Sequence, residues 1–92
     1  MWSIAVKIEL VRAELQRLLR QAPFKVFIIT LNAGERAIIE HPENVAFDPR
    51  PGSSSDFYVL SGSIRLYSTF EDVSSVAMLA GGGTVPGEAV AG

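Results

Sequence analysis

The sequence of 92 residues contains no cysteine and only one histidine, His41. Without cysteine there are no disulfides and no thiolate metal ligands, and the chain is compatible with a reducing compartment. A single histidine leaves a transition-metal site short of ligands, and Glu40 and His41 should point to opposite faces of a strand. Ser61 and Ser63 flank a glycine in a turn and do not form a nucleophile elbow. We therefore expect no metal, no cofactor, no catalytic residue and no enzyme activity.

Long apolar runs and a signal peptide are also missing. No apolar run approaches the roughly 18 to 20 residues of a membrane span. Residues 1–22 carry charged side chains where a signal peptide would have an apolar segment. These are Lys7, Glu9, Arg12, Glu14, Arg17 and Arg20. We expect a soluble cytoplasmic protein that does not contact a membrane.

Acidic residues are scarce in the first part of the chain and basic residues are scarce in the rest, although the net charge is only −2. Residues 1–36 hold six basic and three acidic groups, a balance of +3, and residues 37–92 hold two basic and seven acidic groups, a balance of −5. The basic side chains that could contact a nucleic acid are Arg12, Arg17, Arg20, Lys25 and Arg36. Because phosphate binding depends on clustered basic groups, a solvated helix face is the favoured interpretation and RNA binding is the alternative.

Apolar residues at alternating spacings of four and three predict one amphipathic helix over about residues 4–22. The apolar seam consists of Ile4, Ile8, Val11, Leu15, Leu18 and Ala22. Ser3 suits the N-cap, and Pro23 prevents continuation. The seam is shorter than three heptads, so packing on the chain's own sheet is favoured over a coiled-coil dimer.

Residues 24–31 predict a strand that is apolar on both faces and therefore covered on both sides. A tight turn with Gly34 in the left-handed conformation should lead into a second strand, which ends at Pro42. A short third strand over 45–48 precedes an irregular loop over 49–56.

Further along the chain, a short hairpin over 57–67 and a last strand over 73–79 complete the pattern. The fold class we predict is α+β, mainly β. An N-terminal amphipathic helix is followed by a strongly bent five-stranded antiparallel sheet that forms a small barrel. Residues 1–79 are expected to be one domain, and residues 80–92 a Gly-rich low-complexity tail.

Two resemblances follow from these motifs. The order helix, Pro23-Phe24-x-x-Phe27 strand and His41-Pro42-Glu43 step resembles an uncharacterised family of short bacterial proteins. More loosely, the helix, the bent strands and Leu31-Asn32-x-Gly34 are similar to Sm-like (Hfq/LSm) barrels, which are related in shape to SH3-like barrels. That likeness implies ring assembly, in which the fourth strand of one subunit joins the fifth of the next, and RNA binding in many members. The RNA site of that family has a basic element before the last strand, whereas residues 68–72 are acidic here.

The functional expectation is a non-enzymatic, self-associating protein-interaction module. A small domain with a modest core gains burial by joining its open strand edges to other chains, so we expect a homo-oligomer and an unidentified protein partner. Tyr67 and Phe70 are the candidate partner contacts, the latter because its turn is expected to be exposed. The alternative is an Sm-like oligomeric RNA-binding protein that uses the five basic residues named above.

Overall fold

The computed structural model describes residues 3–79, and it contains one α-helix and six strands. The predictions for the tail over 80–92 lie outside the described residues. The elements are helix α1 (Ile4–Leu19) and strands β1 (Phe27–Leu31), β2 (Arg36–Ile39), β3 (Val45–Phe47), β4 (Asp56–Ser61), β5 (Ile64–Thr69) and β6 (Val73–Met78), with 3-10 turns at Pro42–Asn44 and Phe70–Asp72. Between residues 3 and 79, no helix is long and apolar enough to cross a membrane.

Helix α1 confirms the predicted start and ends earlier than predicted. The Val6 N–H donates to the Ser3 hydroxyl at 3.2 Å, which caps the first turn. The helix stops at Leu19 with Arg20 as its C-cap, because a residue before proline disfavours helical geometry and Pro23 is close behind. Leu15 and Leu18 are fully buried, as the apolar seam requires.

The strands form two antiparallel three-stranded sheets, in the orders β2-β1-β6 and β3-β4-β5. The α+β, mainly β class is confirmed, but the described residues hold six strands instead of five and form no closed barrel. All six predicted strand segments form strands, so the expected count was one too low.

The chain passes from the first sheet to the second at the Pro42–Asn44 turn between β2 and β3. Pro42 has no N–H for a ladder, so the second strand cannot continue through it. The His41 N–H donates to the Asn44 side-chain oxygen at 3.0 Å, and the Asn44 amide donates to the Leu60 carbonyl at 2.8 Å. This turn is therefore tied to β4 in the second sheet.

The β1–β2 hairpin has the predicted turn. Leu31 N–H donates to the Glu35 carbonyl at 2.8 Å, and Gly34 has a φ of +97°. A side chain at that φ would be strained, which is why the turn carries glycine.

The core lies between the two sheets and under α1. Phe27, Ile29 and Leu31 alternate along β1 and are buried, whereas Ile28 and Thr30 on the opposite face are only partly buried. The prediction that β1 is covered on both faces therefore holds for one face only within residues 3–79. The outer face of the β2-β1-β6 sheet has no second layer over it in the part of the chain that the structure describes.

Candidate interaction surfaces

Arg12 is buried, although the sequence suggested it as a nucleic-acid contact. It is 2% exposed, and its guanidinium donates to the backbone carbonyls of Asp48 at 2.7 Å and Ser54 at 2.9 Å. The same group donates to the Ser53 carbonyl at 3.0 Å. Its central carbon lies 5.1 Å from the centre of the Phe70 ring. With its donors turned inward, Arg12 holds the loop between β3 and β4 on the helix and presents no charge to a phosphate.

Glu9 completes this contact between helix and loop. Its carboxylate accepts from Arg12 Nε at 3.1 Å and from the Gly52 N–H at 3.1 Å. The bond from Arg12 and then the bond from Gly52 lower the pKa of Glu9 below its ordinary value. The signal for this role was present in the sequence, because Arg12 lies four residues after Ile8 and three before Leu15, which is the spacing of the buried seam.

The remaining four basic candidates lie at three places: the end of α1, the segment before β1, and β2. Arg17 is exposed and bonded to Glu14 at 2.6 Å, and Arg20 caps the end of α1. Lys25 precedes β1, whereas Arg36 pairs with Thr30 near the other end of that strand. Five residues of extended chain separate Lys25 from Thr30, or about 16 Å. Arg17 and Arg20 are therefore neighbours at the end of α1, whereas Lys25 and Arg36 lie toward opposite ends of β1.

The two aromatic candidates have opposite environments. Phe70 is fully buried: its ring stacks on Phe57 at 5.5 Å and meets the edge of Phe47 at 5.4 Å. It is a core residue, and the expectation that its turn exposes it is wrong. Tyr67 is 67% exposed and donates to Asp56 at 2.9 Å, a bond that raises the pKa of the Tyr67 phenol. Tyr67 remains available to a partner.

A polar hollow of about 440 Å³ lies beside Tyr67. Asn32, Glu71 and Asp72 are among its lining residues. Two carboxylates at this position repel phosphate, so the hollow does not favour a nucleic-acid backbone. Within residues 3–79, no group of three His, Cys, Asp or Glu side chains is placed to hold a metal ion.

Strands β5 and β6 are each the outer strand of a sheet, with one open side. On β6, Leu79 N–H donates to the Val26 carbonyl at 3.2 Å, and the register pairs Ala77 with Ile28. Hydrogen-bonded and non-bonded pairs alternate in an antiparallel ladder. The N–H groups of Val76 and Met78 therefore point to the open side.

The same alternation applies to β5. Phe70 N–H donates to the Ser55 carbonyl at 2.9 Å, at the end of the β4–β5 ladder. The backbone N–H and C=O groups of Arg65, Tyr67 and Thr69 therefore face away from β4. An open strand edge of this kind is a template for pairing with another strand.

An apolar groove of about 530 Å³ runs along the open side of β6, between this strand and α1. Leu10 and Val11 of the helix and Val73 and Val76 of the strand contribute its apolar walls. Leu10 is 49% exposed, so this apolar surface meets solvent in the single chain. Sequence reasoning did not find the groove, because it depends on where the helix crosses the strand.

These features describe a small α+β domain with two antiparallel sheets, open strand edges at β5 and β6, and a buried arginine that fixes a loop. Comparison with protein-family models, with curated proteins and with solved structures finds no match to this chain. The geometry of its own residues therefore carries the functional inference.

Proposed function

We propose that this chain is a non-enzymatic interaction module whose copies join edge to edge, β5 of one copy pairing with β6 of the next. The strand orders give four outer strands, β2, β3, β5 and β6. The observation that carries the proposal is that β5 and β6 lie on different sheets of one small domain and that each has backbone groups directed to an open side. Each edge offers unpaired backbone groups, and two different edges on one chain produce a head-to-tail contact that can close into a ring.

The groove beside β6 supports this arrangement. A strand added to β6 carries its inward-facing side chains along the groove walls of Leu10, Val11 and Val76. On β5, Ile64 and Leu66 share a face, and Ile64 is 52% exposed in the single chain. Their transfer into the groove buries apolar surface on both copies, which adds to the backbone hydrogen bonds of the new ladder.

The resemblance to Sm-like proteins agrees with the same pairing, since those proteins join their last two strands between subunits. Their RNA binding is not part of the proposal for this chain. Two observations favour the protein-interaction proposal over RNA binding: Arg12 is buried, and Glu71 and Asp72 line the polar hollow beside the last turn. Exposed Tyr67 on the β5 edge is the residue we assign to contact with a neighbouring protein chain.

Met78→Pro tests the edge pairing. Proline removes the N–H that points to the open side of β6 and is tolerated where a strand faces solvent. Met78→Ala is the matched control, because it shortens the same side chain and keeps the N–H. We expect light scattering to give an oligomeric mass for the natural sequence and for M78A, and a smaller mass for M78P, with unchanged far-UV circular dichroism.

A second variant leaves the ladder groups intact. Leu10→Lys places a charge on an exposed groove residue, where it is solvated in the single chain and desolvated under an added strand. It should lower the mass as M78P does. A natural chain that is monomeric throughout, or equal masses for M78P and M78A, would refute edge-to-edge assembly.

A further inference from the structure

The outer face of the β2-β1-β6 sheet carries an uncovered aliphatic row. Along β2 the side chains alternate between exposed and buried, so Arg36, Ile38 and Glu40 lie on the outer face. The register places Ile38 opposite Ile28, and Ile28 opposite Ala77. The row therefore crosses all three strands of the sheet.

Ile38 is 48% exposed, and the row opens into a hollow of about 330 Å³ that Ile64 also lines. Ile64 is the first residue of β5 and pairs with Ser61, whose hydroxyl donates to the Ile38 carbonyl at 3.4 Å. Two half-exposed isoleucines from separate sheets thus meet at one surface. Exposed apolar side chains that meet at one surface are a candidate interaction site, and the charges beside them decide which partner fits.

Two charges of opposite sign flank Ile38 along the chain. Arg36 and Glu40 both line the hollow, two residues on either side of Ile38. Extended chain separates their Cα atoms by about 13 Å, so each charge lies on its own side of Ile38. Neither side chain forms a salt bridge within residues 3–79.

The order Arg36, Ile38, Glu40 is complementary to itself when reversed. A twofold axis along the Ile38–Ile28 row brings two copies face to face with antiparallel strands. Ile38 then meets the partner's aliphatic row, while Arg36 of each copy faces the region of Glu40 of the other. Isologous contacts of twofold dimers require this self-complementarity.

We propose that the outer face of the β2-β1-β6 sheet is a homodimer interface, centred on Ile38 and oriented by Arg36–Glu40 pairs between copies. It differs in direction from the edge contacts, because strand pairing extends a sheet in its plane and this contact is perpendicular to that plane. Its central residues Arg36, Ile38 and Glu40 lie on or beside β2, away from the β5 and β6 ladders. The second copy is the occupant that the charge order favours, since one surface supplies both halves of each ion pair.

The test uses the M78P chain, in which edge pairing is blocked. We expect this chain to be a dimer by light scattering at low salt. R36E places two carboxylates opposite each other across the axis, and E40R places two guanidinium groups there. Each should weaken the M78P dimer at least about tenfold, and Arg20→Glu, an equal charge change off this face, should leave it unchanged.

Mixing supplies the decisive measurement. A copy with R36E and a copy with E40R have opposite charges at both contact points, so an equimolar mixture should recover the dimer that neither forms alone. A variant that merely misfolds cannot be rescued in this way. The proposal is overturned if the M78P chain is monomeric at every concentration, if either single reversal dimerises like its parent, or if the mixture stays monomeric. An unrelated protein or a small apolar molecule in the hollow would give one of those results.

Discussion

Replacing Arg12 by methionine is expected to remove a large part of the stability of this fold. Methionine matches the length of the aliphatic stem and deletes the guanidinium. Three loop carbonyls, those of Asp48, Ser53 and Ser54, then lose donors at 2.7, 3.0 and 2.9 Å. The contact of the guanidinium with the Phe70 ring, at 5.1 Å, is lost as well.

The magnitude follows from these losses. A buried acceptor left without a donor costs about 1–3 kcal/mol, and the loop can recover part of this by turning carbonyls toward water. The carboxylate partner Glu9 is 40% exposed and stays solvated when Arg12 is replaced, so the loss of donors to the three carbonyls dominates the cost. We expect R12M to lower the free energy of unfolding by about 3–5 kcal/mol, out of the roughly 5–10 kcal/mol of a domain this size. The melting temperature should fall by about 15–30 °C.

Urea unfolding followed by far-UV circular dichroism measures this change. R17M is the matched control, since Arg17 also pairs with a glutamate three residues earlier but is 61% exposed, and its loss should change the free energy of unfolding far less than R12M does. R12K should fall between the two, because an ammonium group keeps the charge but cannot span the same carbonyls. An R12M chain within about 1 kcal/mol of the natural sequence would refute this account of the buried arginine.

Two further predictions concern the same region. Phe70→Ala should lower the free energy of unfolding by about 3–5 kcal/mol in the same urea assay, because the ring is fully buried between Phe57 and Phe47. A decrease of less than about 1 kcal/mol would contradict the burial of Phe70 in the core. Acid should destabilise the fold through Glu9, whose pKa is lowered by Arg12 and Gly52, so its contribution is complete above the ordinary value of 4.5 and is lost as the pH falls through the lowered pKa. Thermal melts between pH 7 and pH 3 should therefore show a shallower acid decline for Glu9→Gln than for the natural chain, and equal slopes would contradict the role of Glu9.

Local features were predictable because they depend on neighbours in sequence. The helix from Ile4, its cap at Ser3 and the turn at Gly34 follow from periodicity, hydrogen-bonding groups and backbone conformation within a few residues. The break of the second strand at Pro42 is of the same kind, since proline removes a ladder donor wherever it stands.

The candidate site was less predictable, because burial of a charged side chain depends on partners that are remote in the chain. Arg12 was expected on the surface because arginine is usually exposed, yet carbonyls 36 to 42 residues away satisfy it. Phe70 was assigned to an exposed turn, and the rings of Phe47 and Phe57 from other strands enclose it. The residues around Arg12 and Phe70 in the sequence do not indicate which carbonyls or rings each side chain contacts.

The sequence by itself determined that this chain forms one amphipathic helix and a series of short antiparallel strands, because side-chain alternation and turn chemistry are local properties. Only the tertiary structure decided that the six strands divide into two sheets and that β5 and β6 lie at open edges. It also decided that, among residues 3–79, no second layer packs on the outer face of β1. These outcomes depend on which strands pair and where the helix crosses them. The surfaces proposed for assembly follow from that pairing.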